Sequence, residues 1–446
     1  MDTGNTAWIL ASTAAVSLMV PGLALFYGGM TAARTTLNMI MMTFGSVAVT
    51  GCLWILYGYS AAFGDSLGGA GLLGDVGEHL GMKGVITDNP DAAIPTSLFA
   101  AFQALFAAIT VALISGALAD RVKFGAWLVF SGVWITLVYL PVAHWVFALD
   151  GEGTVGGWIV NDLHVVDFAG GTAVHINAGA AALAAVLVVG RRSGWPTRSA
   201  RPHNLPMVML GAGILWFGWF GFNGGSALAA GNSASVVVLN TFAATCSALL
   251  GWLLVERLRD GHATSLGAAS GAIAGLVAIT PACGAVSPVG ALAVGVAAGA
   301  VCALAVGWKF RFGFDDSLDV VGVHLVGGVL GTLLVGLLGT ADAPSARDGL
   351  LYGGGLKLLG QQVVGSLAVL LYSFAVTWLI AKALDRALGL RVPAEAEEGG
   401  LDVALHAESA YDLQAAATAS VRQPHATVTD AATPAPALGA TTASPS

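Results

Sequence analysis

Eleven long apolar runs, separated by short polar stretches, constrain this chain more than any other feature. They fall at 8–30, 37–62, 97–118, 125–146, 169–189, 206–229, 235–256, 264–281, 287–308, 319–339 and 353–385. Each is close to the roughly 20 residues a helix needs to cross a bilayer. A soluble fold has no place for so much apolar surface: 56% of the residues are hydrophobic and 10% charged, against about 25% charged in soluble domains. The 61 glycines point to closely packed helices, because association inside lipid depends on small residues at the contacts. The expected fold is an all-α polytopic membrane protein with eleven transmembrane helices.

The basic residues are distributed unevenly between the loops. Arg34, then Arg121 and Lys123, then Arg191, Arg192, Arg198 and Arg201 occupy alternate loops, followed by Arg257 and Arg259, Lys309 and Arg311, and Lys382, Arg386 and Arg391. The opposite loops hold only Lys83, Arg347 and Lys357. Since basic loops stay cytoplasmic, the N-terminus is expected outside and the C-terminus in the cytoplasm, as an odd span count also requires. The location expected is the plasma (inner) membrane, with lipid as the surrounding partner and no nucleic-acid partner. The four cysteines are scattered without a CxxC or Cys/His cluster, which predicts neither a disulfide framework nor a zinc site. No cleavable leader is expected, because the few residues before the first run include no basic one. The chain divides into a membrane domain (1–388), a polar cytoplasmic segment (389–413) and a tail (414–446). The tail's Ala, Thr, Pro and Ser composition predicts disorder.

Spans one and five echo spans six and ten. AVHINAG at 173–179 matches GVHLVGG at 322–328, each with Val before His and Gly four residues after it; FYGGM at 26–30 matches FNGGS at 222–226. A repeat unit of five spans inserts its second copy upside down, and inverted repeats place their site near the bilayer midplane. His175 and His324 each lie roughly 10 Å in from opposite faces, at 1.5 Å per helical residue. They are positioned to meet.

These two histidines are the only ones of nine well inside the predicted spans, and no acidic or basic residue shares their depth. Ionisable groups at that depth are costly and mark pathways or cofactors. Two such imidazoles fit axial ligation of a haem. They fit equally a narrow polar step in an apolar pore, where one donor and one acceptor nitrogen per neutral ring join the pair. A structural pair satisfied by neighbouring helices is the plainer reading. Asp167, eight residues before His175, is both a favoured helix cap and a carboxylate able to attract cations at the outer mouth. Phe102 and Phe106, and Trp219 and Phe222, share helix faces. Most of the aromatics are packing, but ring faces can hold a dehydrated cation. Ser226, four residues after Phe222, adds a hydroxyl on that side.

The motifs DFAGGTAVHIN (167–177), PGLALFYGG (21–29), PHNLP (202–206), GWFGFN (218–223), GAIAGLV (271–277), TPACG (280–284) and DVVGVH (319–324) resemble those of the Amt/Mep/Rh ammonium transporter family, in its Amt branch. The resemblance runs from about Thr13 to Tyr411. It implies an ammonium transporter rather than an enzyme, without a cofactor, with an inverted five-plus-five repeat assembled as a homotrimer. It places His175 and His324 as the paired pore histidines, Asp167 as the acidic residue beside them, and Phe106 and Phe222 as a stacked outer gate. Ser226 and Trp219 become ammonium contacts. Familiar members carry an outer-site tryptophan after Ala-His; here AHWVF (143–147) puts Phe147 at that position and Trp145 two residues earlier, leaving both as alternatives beside Phe102. Segment 389–411 resembles the family's regulatory tail, which implies a PII-type signal protein as partner. An ammonium sensor, a haem electron carrier and a Rh-type gas channel are the competing readings.

Overall fold

The computed structural model describes residues 1–89, 92–197 and 201–411. Eleven helices are long and apolar enough to span a membrane, and the β-structure of the described residues is limited to isolated bridges. The spans are α1 (Thr3–Met30), α2 (Thr36–Phe63), α3 (Thr96–Leu118), α4 (Phe124–Phe147), α5 (Gly171–Val189), α6 (Leu205–Gly225), α7 (Asn232–Asp260), α8 (Ser265–Ala282), α9 (Pro288–Phe312), α10 (Val321–Leu338) and α11 (Lys357–Leu388). Each corresponds to a predicted run. Hydropathy sets a span's existence, but caps set its ends. α6 stops at Gly225, so Ser226 is a capping residue and not part of the helix. α5 starts two residues later than predicted, at Gly171, after Gly170 adopts φ 111°.

The helices paired by the repeat also pair in space. α1 packs along α6, and α5 against α10. The first turn of α5 meets the later part of α10, while the first turn of α10 meets the later part of α5. The two therefore cross running in opposite directions. Glycine makes the crossing possible: a Cβ on Gly179 would strike the backbone of Leu325, and one on Gly328 would crowd Gly171 O and the His175 Cβ. These are the glycines four residues after each histidine. Both histidines sit on wide, π-helical turns, at Gly171–Ile176 and Val321–Leu325, a local geometry frequent at functional positions.

At the end of the bundle that carries the basic loops, a buried polar knot ties three chain segments together. Arg121 is wholly buried. Its guanidinium donates to Gly190 O (3.0 Å), Ala119 O (3.1 Å), Ala117 O (3.0 Å), Asp315 O (2.6 Å) and Ser317 Oγ (2.6 Å). Helix C-termini leave carbonyls without intrahelical donors, and this one side chain answers several of them. Burial pulls the guanidinium down to about 10, with Asp315 opposing the shift, so it keeps its charge at neutral pH. Arg192 grips Asp315 with two nitrogens, at 2.8 and 2.9 Å, and Asp120 with a third at 3.0 Å.

Residues 389–410 belong to the same compact unit as the spans. After α11 come two short helices, α12 (Ala394–Gly399) and α13 (Leu401–His406). Glu397 accepts from Ser193 N at 2.6 Å and pairs with Arg391. Asp402 accepts from Leu37 N (3.1 Å) and Asn38 N (2.8 Å), capping the start of α2. The predicted disordered stretch 414–446 lies outside the described residues.

Replacing Arg121 by Ala leaves those carbonyls without their donor beside a cavity, while the Asp315 carboxylate keeps Arg192. The expected cost is roughly 3–5 kcal/mol, since each buried carbonyl left without a donor costs about 1–3 kcal/mol. The thermal midpoint of the purified variant, followed by size-exclusion chromatography, should fall well below that of the parent. An unchanged midpoint would contradict the knot's structural role.

Candidate functional site

The site is a column of rings that begins at the floor of a vestibule, at the end of the bundle opposite the basic loops. The vestibule holds about 460 Å³ and is lined by Phe106, Phe147, Asp167 and Ser226, with Gln103 and Tyr59 among its other walls. Phe106 of α3 and Phe222 of α6 close the floor face to face, their centroids 3.9 Å apart and planes 19° from parallel. Both are almost fully buried. Phe147 meets Phe106 edge-on at 6.3 Å.

Beneath the stack the column continues. Trp219, one turn before Phe222, lies 5.7 Å from it and stacks on His175 at 5.5 Å. The indole is locked by a 2.8 Å hydrogen bond from its Nε1 to Thr280 Oγ1, and that hydroxyl donates to Leu276 O. His175 and His324 then meet edge to edge, their centroids 5.3 Å apart and planes 25° from parallel, with their Nδ1 atoms at 3.2 Å. A hydrogen bond between two Nδ1 atoms needs one to carry hydrogen and the other a bare lone pair. The rings are thus in opposite tautomers, and they cannot both be imidazolium. His175 Nε2 is buried without a partner. Rings in direct mutual contact do not flank a plane in which a macrocycle could lie, which removes the haem reading. Among the described residues no cluster of three or more His, Cys, Asp or Glu is arranged to hold a metal.

Asp167 caps α5. Its Oδ1 accepts from Gly170 N (2.8 Å) and Gly171 N (2.6 Å), and its Oδ2 from Thr172 N (2.8 Å) and the Thr172 hydroxyl. Both oxygens are occupied by amides and a hydroxyl of its own chain, so its contribution to the vestibule is a fixed negative charge, not a free acceptor. The inverted copy has the same device, which the sequence alone did not reveal. Asp316, eight residues before His324, accepts from Val320 N (3.0 Å) and Val321 N (2.7 Å) and caps α10. The shared spacing from Asp to His was the available signal. It was masked by Asp315 and Asp319 on either side.

The structure separates the alternative aromatics. Phe147 lines the vestibule. Trp145 points away from it, donating to Leu72 O at 2.8 Å and packing on Tyr372 and Trp158. Two residues along a helix turn a side chain through about 200°, so both could not face one cavity. Phe102 is fully buried behind the stack, edge-on to Phe106 at 4.9 Å. Ser226 stands at the vestibule, its Oγ donating to Phe222 O at 2.8 Å and its lone pairs left over. Gln103 does not stand out in the sequence, being one polar residue in an apolar run, and Thr280 does so only as the first residue of the TPACG motif.

A family profile described as Ammonium Transporter Family matches residues 7–411. An ammonium transporter of Mycobacterium tuberculosis is 56% identical, the match covering 96% of this chain and 94% of that one. One of Corynebacterium glutamicum is 48% identical, with coverages of 93% and 90%. Among solved structures, a protein named Sensor Amt Protein superposes with a TM-score of 0.81 at 30% identity, covering 90% of this chain and 98% of its own. Mep2 of Candida albicans gives 0.80 at 33% identity, with coverages of 88% and 87%.

The buried cap of α10 makes a pH prediction. Burial, reinforced by Asp319, raises the Asp316 carboxyl from 3.8 to about 6. The folded chain therefore keeps a proton that the unfolded chain has already lost. This contribution to stability is complete below about pH 4 and is lost as the pH rises through about 6. Thermal midpoints measured across that window should fall more with rising pH in the parent than in Asp316→Asn. Parallel curves would show that Asp316 does not titrate there.

Proposed function

Since the chain belongs to the ammonium transporter family, we propose that it recruits ammonium in the vestibule, strips it of one proton there, and conducts ammonia past the paired histidines. The observation that carries this reading is the unbroken series of rings from Phe147 to His324, joined at its end by the 3.2 Å Nδ1–Nδ1 contact. Phe147 and Phe106 offer ring faces to the cation, Ser226 offers an acceptor, and the charge of Asp167 favours a cation nearby. Below the Phe106–Phe222 stack the lumen has too few oxygens to replace an ion's hydration, so an ion cannot continue. Ammonium, unlike potassium, can release a proton on the vestibule side and go on as a small neutral molecule. The imidazole pair then gives ammonia a polar step, with the bare His175 Nε2 facing it.

The vestibule faces outward in this proposal, because the basic loops lie at the opposite end of the bundle. We place the C-terminus in the cytoplasm on the same ground. The docked segment 389–410, tied to α2 and to the Arg192 loop, is proposed as the contact for a PII-type signal protein, and the assembly as a homotrimer. Sensing is the second reading, favoured by the likeness to a solved structure named Sensor Amt Protein; flux separates it from transport.

The test is to replace both histidines. His175→Ala with His324→Ala should abolish selective ammonium transport in proteoliposomes, measured as ammonium-evoked current and internal pH change. Unchanged flux and selectivity in the folded double variant would remove the pair from the mechanism.

A further inference from the structure

We propose that Gln103 is a second oxygen ligand for the ammonium ion at the vestibule floor, acting with Ser226. The inference rests on the transport reading above and adds a residue that sets affinity for the cation. Gln103 lies on α3 one turn before Phe106, hence on the same helix face, and it lines the vestibule. The residue is 8% exposed, and its Oε1 is buried with no hydrogen-bond partner.

Buried polar groups are ordinarily satisfied, and this protein shows what a structural amide looks like. Gln362 is buried too, yet its Oε1 accepts from Val166 N at 2.8 Å and its Nε2 donates to Val166 O at 2.7 Å and Thr332 O at 3.2 Å. Gln103 has no such frame. An acceptor left bare in that setting is destabilising, unless a ligand with N–H groups arrives to satisfy it. Ammonium has four such groups. Ser226 and Gln103 would take two of them, while the faces of Phe106 and Phe147 meet the rest of the ion.

The residue type matters as well. A neutral amide attracts the cation through a dipole. A carboxylate at the same place would stabilise the charged form and oppose proton loss. Gln103 thus holds the ion firmly enough to collect it and loosely enough to let the proton go. Potassium, with no N–H to donate and a need for more oxygens, gains less from the pair.

Full-length parent, Gln103→Leu, Gln103→Glu and Ser226→Ala are reconstituted in proteoliposomes, and ammonium-evoked transport is read as apparent KM and maximal rate. Gln103→Leu should raise the KM by roughly tenfold or more, the value of a hydrogen bond to a charged group, with the maximal rate little changed. Gln103→Glu should lower both. If Gln103→Leu elutes as aggregate, Gln103→Met, which keeps the length, takes its place. A Leu or Met variant with the parent's KM, while Ser226→Ala raises it, overturns the assignment and leaves the transport reading standing. A folded parent without ammonium transport overturns the transport reading, and this one with it.

Discussion

Two helices of opposite run cross where Gly179 and Gly328 have no side chains, and that crossing brings one imidazole from each to the middle of the bundle. Everything along the column depends on it. The Nδ1–Nδ1 hydrogen bond fixes the two tautomers only because the backbones approach closely enough for the rings to share a proton. Trp219 then stacks on the first ring and sets the level at which Phe222 can meet Phe106. A side chain at either glycine would push the helices apart and break the series at its narrowest point.

The two ends of the bundle are built for opposite tasks. The vestibule has an anionic cap, a hydroxyl with spare lone pairs, a bare amide and aromatic faces, a set suited to a small cation. The basic end is a structural knot, where Arg121 collects carbonyls from the ends of several segments and Arg192 binds two carboxylates. Segment 389–410 fastens onto the same knot through Glu397 and onto α2 through Asp402. Its docking is therefore mechanically joined to the loops that precede α10 and follow α5, the two helices carrying the histidines.

Much of this was legible in the sequence because the signals are local. Apolar length gives each span, and the Val-His and four-residue Gly spacing marks both members of the central pair. What escaped depends on contacts between distant segments. Trp145 and Phe147 differ by two positions, and only Leu72 and Tyr372, from elsewhere in the chain, show which of them turns inward. Ser226 falls outside α6 because the chain there tightens into i→i+3 hydrogen bonds from Ser226, Ala227 and Leu228, whereas hydropathy alone carried the span past it. Arg121 counted only as a charge for orientation, since nothing in its sequence neighbourhood shows that it is buried. Asp167 read equally well as cap and as cation attractor, and its hydrogen bonds show the cap while its position leaves the charge at the vestibule.

The central claim is that selectivity comes from a proton that only ammonium can give up. The most direct measurement is uptake of labelled ammonium into proteoliposomes while potassium is raised to a large excess over it. The account predicts that ammonium uptake persists at that excess and that potassium itself does not enter. Potassium entering through the protein would contradict it, because the protein would then be passing an ion and not its deprotonated form.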